Sequence, residues 1–449
     1  MTYSGRRNHG YIHHATLSAN TKRSLQETYM DAFRIRGGRP LIGEIEIDGM
    51  KNSILPMMAA SILASDGELV IENVPDLRDV RVMLRILETL GVKTQFDTET
   101  HVLTLDATGD IQDTAPYELV RQMRASFLVS GALLGRLGHC RVSMPGGCAI
   151  GSRPVTDQVR AFVALGSVMT EEEGYLRLDG RKLSGKLVTL DYPAATGTEN
   201  IMLAAVLADG VTTIENAACD PEVVDFGECL QKMGAQIDGL GTNTIRITGV
   251  KSLHGARHRA APDRIDAATF AVAAAITRGR LFLQGANADH FEIVLTKLED
   301  AGASVERRPD GVEVSASQRL RAVNIRTLPY PAFPTDVQAP FMAAMSVADG
   351  ASLIWEQVYD NRFTQGPELR RMGANITIAG DKAVIVGVPR LFGAPVMASD
   401  IRAGGALVLA GLVAEGVTTV SRVYHIDRGY ERIERRLQAV GADIERFSE

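Results

Sequence analysis

The sequence predicts an α/β protein built from six similar units, and three observations carry that prediction. From Asp31 onward a pattern recurs six times: an Ala-rich apolar helix ending at a glycine, a β-rich run, a polar turn, an amphipathic helix ending at a second glycine, and two strand-like stretches. The glycines keep register, the first set being Gly67, Gly138, Gly210, Gly279, Gly350 and Gly416 and the second Gly91, Gly166, Gly234, Gly302, Gly373 and Gly441, all at positions expected for helix C-caps. Two non-periodic stretches, Asp48-Gly-Met-Lys51 and His258-Arg-Ala-Ala-Pro-Asp263, interrupt the pattern. Six such units could form one solenoid or two groups of three. The interruptions favour two groups, with the chain crossing twice between them.

In chain order, the first 30 residues are polar, carry Arg6-Arg7, His9 and His13-His14 and lack the apolar core of a signal peptide, so residues 1–30 read as a disordered extension. Phe33 to Ile47 is strand-like. Units one to three then fall in a domain of residues 51–261, and residues 31–50 join 262–449 in a domain of units four to six. The runs after the first glycines, such as Glu68-Leu-Val-Ile-Glu-Asn-Val74 and Val417-Thr-Thr-Val-Ser-Arg-Val-Tyr424, alternate or cluster β-branched residues as strands do. The next helix places Val80, Met83, Leu84, Leu87 and Leu90 at helical spacing, which marks them as core. A cleft between two such domains is where a ligand is expected.

Composition limits what that ligand is. With 449 residues, 45% hydrophobic and 23% charged, the chain suffices for two or three domains. A net charge of −6 with both signs mixed throughout speaks against a nucleic-acid scaffold or a polybasic membrane binder, so anion binding has to be local. Cys140, Cys148, Cys219 and Cys229 form neither a disulfide framework nor a C-x-x-C pair, which fits a reducing compartment. No apolar run approaches the ~18 residues of a membrane span.

The paired glycines lie 24, 28, 24, 23, 23 and 25 residues apart in the six units. The surplus of the second unit falls at Met144-Pro-Gly-Gly-Cys-Ala-Ile-Gly-Ser-Arg-Pro154, an insertion into an otherwise regular frame, and special loops tend to carry function. Cys148 there is a candidate nucleophile or acid, and Arg153 a cation that stabilises a thiolate or grips an anion; the plain alternative is a surface turn with an inert cysteine.

Ionic residues recur at equivalent places. Lys51-Asn52, Arg124, Glu199-Asn200, Asp263-Arg264, Asp336 and Arg402 are expected at the starts of the Ala-rich helices. Arg78, Cys148 with Arg153, Arg362, and His425 with Asp427-Arg428 fall in turns after strands. A Lys or Arg at a helix N-terminus opposes the dipole unless an anion is bound, so the recurrence points to an anion-binding cleft. Asp336 either caps its helix or serves as the base for a hydroxyl.

These residues sit in motifs. Gly-Met-Lys51-Asn52-Ser, Met123-Arg-Ala-Ser126, Pro145-Gly-Gly-Cys-Ala-Ile-Gly151 with Arg153-Pro-Val155, Phe333-Pro-Thr-Asp336, Asn361-Arg-Phe363 and Tyr424-His-Ile-Asp-Arg-Gly-Tyr-Glu-Arg432 resemble the UDP-N-acetylglucosamine 1-carboxyvinyltransferase family, in order and without large gaps from Met30 onward. The resemblance implies an enzyme that transfers the enolpyruvyl group of phosphoenolpyruvate to the 3′-hydroxyl of UDP-N-acetylglucosamine and releases phosphate. That is the first committed step of peptidoglycan synthesis, hence of cell-wall biogenesis, cell shape and cell division. It implies two domains of three βαβαββ-type units each, as inside-out α/β barrels with the active site in the cleft between them.

Carried over by motif, Cys148 is the general acid that protonates the enol carbon and can bond covalently to phosphoenolpyruvate, and Asp336 is the base for the sugar hydroxyl. Lys51, counted as catalytic, would hold phosphate and carboxylate with Arg153, Arg402 and Arg428, Arg362 being nearby. Asn52 would contact the sugar; Arg124 with Arg153, Pro154, Val155, Thr156 and Asp157 the nucleotide; and Val358 is a further substrate contact. At His425 a structural hydrogen bond is expected. The resemblance calls for no metal or cofactor, no nucleic acid and no membrane, and for a cytoplasmic monomer. Two stretches depart from the family pattern where nucleotide contacts are implied, Thr156-Asp157-Gln158 and Tyr192-Pro-Ala-Ala-Thr-Gly-Thr198, while Glu199-Asn-Ile-Met202 matches. The sister enzyme 5-enolpyruvylshikimate-3-phosphate synthase has Gly-Ser-Lys-Ser near its start and no Cys loop, unlike Met50-Lys-Asn-Ser53 and Cys148 here. A catalytically silent paralogue that binds the nucleotide sugar is the other alternative, and Cys148 and Asp336 count against it.

Overall fold

The structure is a computed structural model that describes residues 31–144, 155–180 and 182–449. The expectations for residues 1–30 and for Cys148, Arg153 and Pro154 lie outside these residues.

A helix that is apolar all round has no face to give to water and must be enclosed. The Ala-rich helices obey this. They are Lys51–Ala60, Leu128–Leu137, Ala195–Ala205, Arg264–Ile276, Thr335–Ser346 and Ile401–Val413, and all thirteen residues of Arg264–Ile276 are buried. The first three pack on one another, as do the last three. Small residues set the spacing: a Cβ on Gly131 of the second inner helix would lie 2.3 Å from the Asn200 carbonyl oxygen of the third. Accordingly the buried apolar residues form two cores, one running from Ile54 to Ala260, the other combining Phe33 to Ile47 with Ile265 to Ile444.

Sheets wrap the helices. Among the described residues there are six four-stranded sheets of one order, plus a two-stranded pair. In five of the six, the strand following an inner helix has a short parallel neighbour on one side and an antiparallel hairpin on the other, as Leu69–Glu72 lies between Arg257–Arg259 and Val102–Asp106. The sixth sheet fills the second hairpin place differently, with Asp31–Arg36 inserted between Val417–Ser421 and Asp443–Ser448. Strand pairing does not run from one of these sheets into the next, so the inside-out arrangement is helices surrounded by separate sheets rather than a closed barrel of strands. Among the described residues no helix is long and apolar enough to cross a membrane.

All six glycines of the second set have φ between 93° and 108°, the left-handed caps that the sequence register requires. In the first set Gly279 departs from this. Arg278 takes the left-handed conformation instead, at φ 53°, because Gly279 is pressed against the Leu41 backbone, where a Cβ would come within 2.1 Å of the carbonyl oxygen.

The two interruptions run side by side. The Met50 N–H donates to the Ala261 carbonyl at 2.8 Å, the Asp263 N–H to the Asp48 carbonyl at 2.8 Å, and Gly49 bridges Pro262. A Cβ on Gly49 would lie 1.8 Å from the Asn73 carbonyl oxygen, whereas one on Gly109 would meet nothing within 4 Å. Gly49→Ala is expected to cost on the order of 3 kcal/mol, a Tm fall of about 10 °C, while Gly109→Ala leaves Tm within a degree or two. Paired thermal melts check this, and an unperturbed Gly49→Ala would mean that the crossing is not tightly packed.

Candidate active site

Lys51 opens the first inner helix without a capping side chain before it. Its backbone N–H points to Asp263 Oδ2 at 3.4 Å, while the other oxygen of Asp263 caps the fourth inner helix through the Ile265 and Asp266 N–H groups. The Lys51 ammonium lies 3.4 Å from Asp79 Oδ2, and Asp79 Oδ1 accepts from Arg428 Nε at 2.8 Å. The side chains of Lys51 and Asp79 are only 9% and 5% exposed, so this carboxylate stands in for water at the Lys51 ammonium. Lys51 and Asp79 belong to elements of the first core and Arg428 to a turn on the second, so the ion pair joins the two. Burial lowers the Lys51 pKa; Asp79 raises it, Arg402 and Arg428 lower it further, and Asp336 raises it. Asp79 stands in the first turn of Arg78–Thr89, where the helix dipole also favours a negative charge. Reasoning from sequence singled out its neighbour Arg78 and missed it.

Asp336, the second residue of Thr335–Ser346, does not cap that helix. Its carboxylate accepts from Arg362 Nη2 at 2.7 Å and from Arg402 Nε at 3.1 Å, with Arg402 Nη2 at 3.0 Å. Both arginine side chains are 4% exposed, whereas Asp336 is 28% exposed. Arg362 Nη1 is buried without a hydrogen-bond partner among the described residues. The sixth inner helix is capped by Asp400, which accepts from the Arg402 and Ala403 N–H groups. Glu356, a second residue not anticipated, holds the neighbouring turn. Its Oε1 accepts from the Val358 and Tyr359 N–H groups at 2.9 and 3.2 Å, and its Oε2 from the Thr335 hydroxyl at 2.8 Å, which pins Val358 next to the helix bearing Asp336.

Other expected residues lie elsewhere. Arg124 opens a short 3-10 turn, Arg124–Phe127, ahead of the second inner helix rather than starting it. Glu199 and Asn200 sit in the middle of Ala195–Ala205. Asn200 donates to Gln158 Oε1 at 2.7 Å and to the Phe127 carbonyl at 3.1 Å, a structural knot that employs the Gln of the divergent Thr156-Asp157-Gln158. Burial, followed by the charges of Glu222 and Asp220, pushes the Glu199 carboxyl well above the usual range. Arg264 is no free cation either, since it donates to Glu222 at 2.9 and 3.1 Å and to Asp220 at 2.8 Å. Burial and Glu222 push the Asp220 carboxyl up to about 7.

Asn52 is half-buried at the second position of the first inner helix, and Val155 is buried just before Thr156–Ala164. Asp157 pairs with Arg160 at 2.6 Å, and Asp427 with Arg446 at 2.6 Å. His425 stacks on Tyr424 at 4.3 Å, and its Nδ1 makes no hydrogen bond among the described residues, so the structural bond expected of it is not made at that atom. Of the cations expected to await an anion at helix starts, Lys51, Arg264 and Arg402 are thus already compensated by carboxylates of the chain itself.

Replacing Asp79 by Asn leaves burial, Arg402 and Arg428 to depress the Lys51 amine further. The folded state then releases that proton at a pH where the unfolded chain, with its value of 10.5, keeps it, so the variant's stability rises with pH between those two values. Asp79→Asn is expected to cost ~3–5 kcal/mol at pH 6 and clearly less at pH 9. Thermal melts across that range measure it; an equal deficit at both ends would remove Lys51 from the account.

A profile for the family described as EPSP synthase (3-phosphoshikimate 1-carboxyvinyltransferase) matches residues 35–437. The chain is 51% identical over 415 residues to UDP-N-acetylglucosamine 1-carboxyvinyltransferase 1 of Caldanaerobacter subterraneus subsp. tengcongensis, covering 92% of this chain and 99% of that one. It is 50% identical over 420 residues to UDP-N-acetylglucosamine 1-carboxyvinyltransferase of Dichelobacter nodosus, covering 94% and 100%. Among solved structures it is similar to the enolpyruvyl transferase NikO of Streptomyces tendae, with a TM-score of 0.84 at 25% identity over 94% of this chain and 100% of that one. EPSP synthase of Acinetobacter baumannii shares the fold, with a TM-score of 0.72 at 20% identity over 93% and 100%. Half the residues identical over nearly the full length of both chains, on a matching fold, means that this protein belongs to the EPSP synthase family of enolpyruvyl transferases, among the UDP-N-acetylglucosamine 1-carboxyvinyltransferases.

Proposed function

We propose that the protein transfers the enolpyruvyl group of phosphoenolpyruvate to the 3′-hydroxyl of UDP-N-acetylglucosamine, releasing phosphate, and so serves peptidoglycan synthesis and cell division in the cytoplasm. The two cores are read as two domains, 51–261 and 31–50 with 262–449, with the site in the cleft between them and the chain acting as a monomer. The observation that carries the reading is a partly exposed carboxylate, Asp336, beside four cations, Arg362, Arg402, Lys51 and Arg428, drawn from both cores. The reaction needs that set. Asp336 takes the hydroxyl proton as the sugar oxygen bonds to the central carbon of phosphoenolpyruvate, and Cys148 gives a proton to its terminal carbon. In the second step the bond to phosphate breaks and the terminal carbon returns a proton, which restores the double bond. Lys51, Arg402 and Arg428 spread the charge of phosphate and carboxylate throughout.

Phosphate release from phosphoenolpyruvate is expected with UDP-N-acetylglucosamine and not with shikimate 3-phosphate. Asp336→Asn should lower turnover by about a hundred-fold or more. Its Tm is expected to fall as well, because Asn no longer offsets two buried guanidiniums, so turnover is compared well below the variant's own Tm. Near-normal turnover would end the assignment of Asp336 as base. Burial raises the thiol pKa of Cys140 and Cys219 and pushes that of Cys229 up to about 12. Fast alkylation at neutral pH is therefore expected at Cys148, read by peptide mass spectrometry, and faster labelling of Cys219 would contradict the cationic setting assigned to Cys148.

A further inference from the structure

One buried amide joins the two stretches on which nucleotide contacts are expected. Asn200, in the middle of the third inner helix, is fully enclosed, and Gln158, in the first turn of Thr156–Ala164, is only 8% exposed. The Gly131 N–H points at one side of the Asn200 amide at 2.9 Å. A backbone N–H can only donate, so the atom it meets is Oδ1, and Nδ2 faces the other way. Asn200 Nδ2 lies 2.7 Å from Gln158 Oε1, 3.1 Å from the Phe127 carbonyl oxygen and 3.2 Å from Ser130 Oγ. Ser130 gives its own proton to the Phe127 carbonyl at 2.7 Å, which leaves its oxygen to accept. Of the two amide hydrogens, one goes to Gln158, and Phe127 and Ser130 share the other. Gly131 makes room for this, since a Cβ there would stand 2.3 Å from Asn200 Oδ1.

Both acceptors outside the inner helices lead towards the expected nucleotide contacts. Phe127 closes the 3-10 turn that Arg124 opens. Gln158 is the third residue of the helix that begins with Thr156 and Asp157 after Val155. Arg160 of that helix also reaches Asp191, but this ion pair is exposed and contributes little. We propose that Asn200 is a positioning residue for the nucleotide end of the substrate: its amide sets the spacing between the Arg124 turn and the start of Thr156–Ala164, and Gln158 is the arm by which it holds the second. The proposal rests on the functional reading above. A nucleotide gripped from two segments binds well only if their spacing is fixed beforehand, because any looseness has to be removed on binding. Phosphoenolpyruvate does not draw on this tie, since Lys51, Arg402 and Arg428 stand on other elements.

Gln158→Leu cuts the arm alone and leaves Asn200 Nδ2 its acceptors on Phe127 and Ser130, whereas Asn200→Ala releases the Arg124 turn as well. KM for UDP-N-acetylglucosamine is expected to rise roughly ten-fold for Gln158→Leu, the value of one buried hydrogen bond, and further for Asn200→Ala. KM for phosphoenolpyruvate should stay within about two-fold in both. Since the arm acts only through Asn200, the double variant should match Asn200→Ala. Calorimetric titration with UDP alone gives the same comparison without turnover. A lowered Tm with unchanged affinity for UDP would overturn the proposal and leave the amide a packing feature, as would equal losses for both substrates or additive losses in the double variant. If Asn200→Ala does not fold, Gln158→Leu decides by the same split between substrates. Should wild type bind UDP but release no phosphate with these substrates, the functional reading fails and the UDP titrations alone judge Asn200; a wild type that binds no UDP overturns the proposal too.

Discussion

A cation at the N-terminal end of a buried helix is opposed twice, by the loss of water and by the positive end of the dipole. Lys51 and Arg402 both stand in that position, at the first and second residues of inner helices. The chain answers with carboxylates at three levels. Asp263 and Asp400 satisfy the helix ends, Asp79 neutralises the Lys51 and Arg428 pair, and Asp336 sits between Arg362 and Arg402. Without these acids Lys51 would shed its proton, and the arginines, which cannot, would force the site open. With them, a ligand rich in negative charge meets cations that are already charged and aimed, and competes for them only where Asp79 and Asp336 let go.

Much of the frame was legible because it is periodic. The glycine spacing located the six helix pairs, and the left-handed caps at Gly91, Gly166, Gly234, Gly302, Gly373 and Gly441 follow from it directly. The candidate site was half legible. Lys51, Asp336, Arg362, Arg402 and Arg428 came from local motifs, and the structure gathers the four cations among them around Asp79 and Asp336. Asp79 itself was illegible, since its partners lie 28 and 349 residues away in sequence and its surroundings look like any acidic helix start. Glu356 was hidden because the hydroxyl it holds, that of Thr335, lies 21 residues away. The errors share a cause as well: Glu199 and Arg124 were placed by counting along a repeat, and a repeat read in one dimension shows neither that the Ala195–Ala205 helix starts four residues earlier than Glu199 nor that Glu222 and Asp220 claim Arg264, which does open its helix as expected.

The inner helices explain why so little of this could be arranged otherwise. Alanine contributes little hydrophobic area per residue, and what the Ala-rich design gains is proximity. Gly411 lets Ile35 approach to 3.1 Å of where a Cβ would stand, and Gly404 lets Ile426 come to 2.5 Å. The turn carrying Arg428 is thereby seated against the helix carrying Arg402. Rigid packing behind the site is what allows cations to be held within hydrogen-bond distance of acids from another core.

The sixth sheet has a consequence for how the protein comes into being. Its strand Asp31–Arg36 pairs on one side with Val417–Ser421 and on the other with Asp443–Ser448. On the ribosome, the stretch ending at Arg257–Arg259 can complete its own ring early, since that strand returns to Leu69–Glu72. Asp31–Arg36 has no such local partner. At the usual pace of translation it spends roughly 20 to 80 s as an unpaired edge before its second neighbour has been made. Once residue 259 has been made, the nascent chain therefore carries one closed half and one unpaired strand until the last residues of the sixth sheet are added, an interval of exposure that the mature fold does not show.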